Sequence, residues 1–177
     1  FKSSIMPGKR EGTYSLPFDA SITIPEGSFE KRDTLICRVA TPQTRWQNCP
    51  CNMASNELIN SEIYTLTSSV HILKTNLIFC IPFHPVNYDF NEINVKVKWS
   101  GHVEWVNVGH VAKESDNKPY VELDINKLGT FVVTAKPKTE TFAVTPHGCL
   151  YQARLSRHIT LRFPKKTIGQ DIQCTLQ

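Results

Sequence analysis

The strongest constraint on this chain is a two-residue alternation of apolar and polar side chains that is repeatedly cut off by proline. In Ile93-Asn94-Val95-Lys96-Val97-Lys98-Trp99 the apolar set Ile93, Val95, Val97 and Trp99 falls on one side, and Asn94, Lys96 and Lys98 on the other. A period of two is the mark of a half-buried strand, because successive side chains leave a pleated backbone on opposite faces. The same rule turns Val121, Leu123 and Ile125 inward, with Glu122, Asp124 and Asn126 outward. It also pairs Val103 with Trp105 across Glu104, and Phe131 with Val133. Leu77–Ile81 is apolar throughout and predicts a strand covered on both faces. Pro25, Pro82 and Pro164 each close a strand, since proline has no N–H to give to a ladder. Turn clusters lie at Gly8–Gly12, Asn87–Asn91, Ser115–Pro119 and Pro146–Gly148. The only helix expected is short, over Met53–Asn60. The fold class is therefore all-β, an antiparallel β-sandwich.

One phrase occurs twice. Residues 20–29 and 157–168 each hold an alternating strand ending in proline, two non-apolar residues, a small hydroxyl residue and a large apolar one. Pro7 and Pro25 are 18 apart, as are Pro146 and Pro164, so both prolines recur after 139 residues. That spacing is too long for a solenoid, whose repeats run about 20–50 residues. It predicts a complete β-module over 1–136, a polar, Pro-containing linker at 137–141, and the opening strands of a second, truncated module at 142–177. The chain begins at Phe1 and is read as a piece of a longer protein.

Charge divides along the same line. Residues 1–135 carry 13 Lys/Arg against 14 Asp/Glu, a net of −1, and residues 136–177 carry seven against two, a net of +5. A basic segment attracts anions, and Arg154, Arg157, Arg162, Lys165 and Lys166 are the candidate anion-binding residues, with Arg162 and the lysines flanking a strand end as the expected patch. No base-stacking aromatics are interleaved with these cations, so no nucleic-acid partner is expected. The longest apolar run is Leu77–Ile81, far short of the roughly 20 residues of a membrane span. Six cysteines would permit a disulfide framework, but Cys37 and Cys80 sit inside apolar strand patterns and no glycosylation sequon is present. The expectation is reduced thiols and a cytoplasmic setting.

Catalytic and metal patterns are weak. Cys49-Pro50-Cys51 has one intervening residue where structural zinc sites use two to four, and His71 and His84 do not supply a second pair. His147 and Cys149, two apart, place a thiol near an imidazole, but a turn glycine flanked by a surface His and a buried Cys explains them better. Trp46, Trp99 and Trp105 are read as packing residues. No cofactor, metal or catalytic set is expected.

Ser21-Ile22-Thr23-Ile24-Pro25-Glu26-Gly27-Ser28-Phe29 resembles the opening signature of the ZU-five domain, the β-sandwich shared by netrin receptors, ankyrins and a stress-induced death-domain protein. Ser61–Tyr64 with Ile78–Phe83 resembles its middle, and Glu104–Val106 with Gly129–Val133 its last strands. Thr145–Leu150 and Ile159–Pro164 resemble the start of a second copy, and the tandem order is similar to that of ZU-five proteins that carry a death domain. The resemblance implies a non-catalytic protein-interaction or scaffold module in cytoplasmic signalling linked to cell death, acting on partner proteins or on neighbouring domains of its own chain. Some members of the family cleave themselves before the Ser of a His-Phe-Ser triplet. The matching place here resembles Leu128-Gly129-Thr130, where a hydroxyl survives with no His beside it, a vestigial processing position. Loop residues expected to face a partner are Trp46, Gln47, His84, His102 and the Asn87–Asn91 turn. The alternatives are residual autoproteolysis at Thr130, a thiol reaction at Cys149, or anion binding by the basic C-terminal segment.

Overall fold

The computed structural model describes residues 1–8, 10–29, 33–42, 51–54, 56–69 and 73–177. Among these there are sixteen strands and no helix. They are β1 (Lys2–Ile5), β2 (Gly12–Ser15), β3 (Ser21–Ile24), β4 (Leu35–Ala40), β5 (Leu58–Ile59), β6 (Ile63–Thr67), β7 (Leu77–Pro82) and β8 (Asn91–Trp99). They continue as β9 (Val106–Val108), β10 (Val111–Ser115), β11 (Lys118–Ile125), β12 (Gly129–Pro137), β13 (Glu140–Val144), β14 (Cys149–Gln152), β15 (Thr160–Phe163) and β16 (Ile172–Leu176). The chain divides into two compact units, Phe1–Val86 with Ile93–Ala135, and Asn87–Glu92 with Lys136–Gln177.

The first unit is an antiparallel β-sandwich. One sheet runs β1-β4-β6-β12-β8-β9, with β5 also on β12, and the other runs β10-β11-β7-β3-β2. The core lies between them because alternate residues of both sheets point inward: Leu35, Cys37, Tyr64, Leu66, Val95, Val97, Phe131 and Val133 from the first, Ile22, Phe79, Ile81, Val121 and Leu123 from the second. At its centre Phe79 meets Tyr64 and Phe131 edge-on, with centroids 5.8 and 5.3 Å away, and Trp99 meets Phe131 at 5.8 Å. Edge-to-face geometry sets the positive rim of one ring against the negative face of the next. The Ser115–Lys118 hairpin closes through Asp116 and Asn117 at φ 52° and 60°, a primed turn whose twist matches its strands.

Three local expectations change. The helix over Met53–Asn60 does not form: Leu58 and Ile59 pair instead with Ala135 and Thr134 of β12. Residues 103–105 are not strand, and Val103 is 90% exposed. Strand β7 is covered on one face only, with Leu77, Phe79 and Ile81 buried and Ile78 40% exposed. Its composition is apolar throughout, but only alternate positions reach the core.

The outer face of the larger sheet is also covered. Val132 and Thr134 point away from the core, yet both are fully buried, with Cys51 and Ile59 packed beside Val132. Lys96 lies on that face and is buried too, its ammonium 2.9 Å from Glu57 Oε2 and bonded to the Asn52 carbonyl. Thr134 Oγ1 donates to Glu57 Oε1 at 2.5 Å, and the Ala54 N–H donates to Oε2 at 3.0 Å. Burial alone would raise the Glu57 carboxyl. The bonds from Thr134, Ala54 and Lys96 outweigh it and hold the group below the usual carboxylate range.

The second unit contains two ribbons, β13 with β16 and β14 with β15. Its packing centres on Phe142, stacked on Tyr151 at 3.9 Å, with Val144 and Ala153 buried. Glu140 is buried and accepts hydrogen bonds from the Tyr151 hydroxyl and from the N–H groups of Arg154 and Leu155. Burial works against its charge, but these donors lower its affinity for a proton, and the same bond raises that of Tyr151. The expected linker at 137–141 is mostly strand, since β12 runs to Pro137 and β13 starts at Glu140. The Asn87–Glu92 turn belongs to this unit: Lys138 N–H donates to the Phe90 carbonyl at 2.8 Å and its ammonium to the Tyr88 carbonyl at 2.5 Å.

The repeated phrase corresponds to a repeated arrangement. β1 pairs β4 and β2 pairs β3, as β13 pairs β16 and β14 pairs β15. Tyr14 faces Ile22 as Tyr151 faces Leu161, and Ser3 faces Cys37 as Phe142 faces Cys174. The closing turns agree atom by atom. Ser28 N and Oγ both donate to the Pro25 carbonyl at 3.3 and 2.6 Å, and Thr167 N and Oγ1 to the Pro164 carbonyl at the same distances. The residue before each hydroxyl has positive φ, 79° at Gly27 and 64° at Lys166.

Candidate functional site

Residues expected at a site are dispersed. Trp46 and Gln47 lie outside the described residues, as do Cys49 and His71. His84 is exposed; its N–H donates to the Asn60 carbonyl at 2.9 Å and its own carbonyl accepts from Asn60 Nδ2 at 2.8 Å. It borders a shallow cleft with Phe18, Asp19, Glu62 and Phe83. His102 is exposed in a turn after Gly101, its N–H donating to the Trp99 carbonyl. These backbone bonds fix where the two imidazoles start but bring them to no common point.

The Leu128–Thr130 segment, where the resemblance implied a vestigial processing position, is tightly built. Leu128 and Gly129 are buried, and the Leu128 carbonyl accepts from the Ser100 N–H at 2.9 Å. Thr130 Oγ1 shares a 3.1 Å hydrogen bond with Thr65 Oγ1, a hydroxyl partner that is no general base. A methyl group at position 129 would lie 2.5 Å from the Lys98 carbonyl oxygen and 3.0 Å from Trp99 Cα. Gly129→Ala is therefore expected to force β8 and β12 apart and to lower unfolding free energy by about 1–3 kcal/mol in urea titration.

The thiols differ in setting. Cys37 is fully buried, and burial pushes its pKa up to about 11. Cys80 is half-buried and also raised, mainly by burial. His147 and Cys149 are not on one strand: His147 stands in the turn before Gly148, whose φ is 90°, and Cys149 opens β14. The expected turn glycine beside a surface His is present, but Cys149 is half-buried rather than buried.

The basic residues separate into two groups. Arg154 and Arg157 lie in the loop between β14 and β15, where Gln152 Nε2 donates to the Arg157 carbonyl at 2.7 Å, and Arg154 lies near Glu140. Arg162 and Lys165 line a groove of about 480 Å³ at the other end of the ribbon, with His147, Cys149, Leu150 and Phe163. Lys166 follows in the turn, its N–H bonded to the Pro146 carbonyl at 2.8 Å. Arg162 and Lys165 of the strand-end patch thus share a concave groove, and Arg154 and Arg157 lie apart from it.

Sequence reading missed the Glu57–Lys96–Thr134 and Glu140–Tyr151 networks. Lys96 sits between two core valines, and nothing in a two-residue period reveals a segment laid over the second face. Both networks anchor one segment of the chain to another. Among the described residues no group of His, Cys, Asp and Glu has the arrangement of a metal site, and no helix is long and apolar enough to cross a membrane.

Fold and surfaces together define an all-β protein of the antiparallel sandwich class, with a duplicated four-strand opening. No protein-family model matches the chain, and no curated protein matches it.

Proposed function

We propose that this chain is a non-catalytic protein-interaction module of the ZU-five type, a scaffold in a cytoplasmic signalling protein linked to death-domain signalling. The observation that carries this reading is the duplicated opening, in which two units share strand pairing, closing turn and positive-φ position. Function resides in the surface chemistry a fold carries rather than in the fold itself, and here the backbone plan is kept while the surface changes. Open strand edges support it as well: β10 ends the smaller sheet with all five residues exposed, and such an edge presents unpaired main-chain groups to an incoming strand. The most buried carboxylates, Glu57 and Glu140, are committed to structural hydrogen bonds.

Two measurements test the reading together. Immobilised chain is expected to retain death-domain signalling proteins from cytosol, identified by mass spectrometry. Its intact mass is expected to stay unchanged after prolonged incubation near neutral pH. Two fragments meeting between Gly129 and Thr130 would overturn the non-catalytic reading.

A further inference from the structure

Matched by strand register and closing turn, the two openings differ sharply on one surface. In the first unit Thr13 and Thr23 face each other and share a 2.8 Å hydrogen bond, so that stretch of outer face satisfies itself. The same register places Leu150 opposite Arg162 in the second unit, with Leu150 72% exposed. Around the closing turn Glu26-Gly27 becomes Lys165-Lys166, and the glycine after Pro7 becomes His147 after Pro146. Four equivalent positions thus change from a net charge of −1 to +3, while the backbone beneath them is retained.

These cations have no internal counter-charge. No acidic residue lines the groove that holds Arg162 and Lys165, and among the described residues neither forms an ion pair. Of the two acidic residues after Lys136, Glu140 is already taken by Tyr151 and two amides. Unpaired surface cations around an exposed leucine favour a partner that brings carboxylates and one apolar side chain. The concave shape favours an extended peptide over a flat bilayer. So does the neighbouring strand, since among the described residues β14 pairs with β15 alone and leaves its other edge to main-chain hydrogen bonds.

We infer that the groove between the β14–β15 ribbon and its closing turn is a docking site for an extended acidic peptide segment of a partner protein, held by Arg162, Lys165 and His147 with an apolar residue against Leu150 and Phe163. This rests on the interaction-module reading and names the site and chemistry of the contact. The first unit, with the same backbone and a self-satisfied threonine pair, does not bind such a peptide.

The test is fluorescence anisotropy of the full chain with a short labelled peptide alternating Glu and Thr around one Leu. The same peptide with Lys for Glu, phosphatidylserine vesicles and single-stranded RNA serve as comparisons. The acidic peptide is expected to bind, to weaken as salt rises from about 50 to about 300 mM, and to lose about tenfold or more in affinity in Arg162→Glu/Lys165→Glu. Lys127→Glu, an exposed charge reversal in the first unit, is expected to leave binding unchanged. No binding at low salt, equal binding by the double variant, or binding of vesicles or RNA without the peptide would sink the proposal. If peptide binding fails while death-domain proteins are still retained, this site alone is lost. If the chain cleaves before Thr130, the wider reading falls with it.

Discussion

Replacing Phe79 with alanine is expected to destabilise the first unit by about 3–5 kcal/mol, the usual range for an aromatic removed from a close-packed core. Phe79 is fully buried, stands on the central strand of the smaller sheet, and meets rings of the larger sheet on two sides. It is therefore a side chain through which the two layers hold each other. Tyr64 hydrogen-bonds the Pro17 and Phe18 carbonyls at 3.4 and 3.5 Å, so it is not free to swing into the space left behind. Urea unfolding read by tryptophan fluorescence measures the effect, because Trp99 packs against Phe131 at the rim of the same cluster. Phe79→Leu, which keeps most of the volume, is expected to cost clearly less. An alanine variant within about 1 kcal/mol of the parent would mean that the layers are joined elsewhere.

Removing the charge of Lys96 is expected to cost a similar amount, about 3–5 kcal/mol, for a different reason. Its partner Glu57 is 4% exposed, and Lys96→Met leaves that carboxylate buried without its cation. Replacing both, Lys96→Met with Glu57→Gln, is expected to recover a large part of the loss, since an uncharged pair has no stranded charge to desolvate. The recovery separates the cost of an orphaned ion from the worth of the pair, and a double variant no better than Lys96→Met alone would contradict the account. Glu57 also sets a pH dependence. Its folded-state carboxyl holds a proton less tightly than in the unfolded chain, so the unfolded state takes up protons first on acidification. The stabilisation is fully present above the ordinary carboxylate value of 4.5 and is lost as pH falls through the lower folded value. Unfolding midpoints measured across that range should drop more steeply in the parent than in Glu57→Gln.

The alternation rule read β11 correctly, because one side of that strand meets the core and the other meets water. It failed at Lys96 and Thr134, where a loop segment covers the second face of the sheet and both side-chain sets are buried. It failed in the opposite sense at Ile78, an apolar residue left on an exposed face. Local composition favoured a helix near Met53, but pairing with β12 captured Leu58 and Ile59. The duplicated turn was legible because proline, hydroxyl and spacing survive together. The rest of the duplication was hidden by loop lengths: residues 16–20 join β2 to β3, while 153–159 join β14 to β15, and the connections on either side of that hairpin are each two residues shorter in the second unit, 145–148 against 6–11 and 164–171 against 25–34. Those offsets conceal the match of Tyr14 with Tyr151 and of Cys37 with Cys174, which only strand register reveals. The groove was half legible. Its cations were named, but the bend at Gly148 that sets His147 beside them, and the separation of Arg154 and Arg157, belong to three-dimensional structure.

In both units the outer pair brackets the inner one: β2 and β3 lie between β1 and β4 along the chain, and β14 and β15 between β13 and β16. Nested brackets imply an order of assembly. Zipping the inner hairpin draws the flanking chain together and shortens the effective loop that the outer strands must close, which lowers its entropic cost. Each opening thus carries its own kinetic primer, and the sequence between the outer strands serves as the tether that lets distant segments find each other.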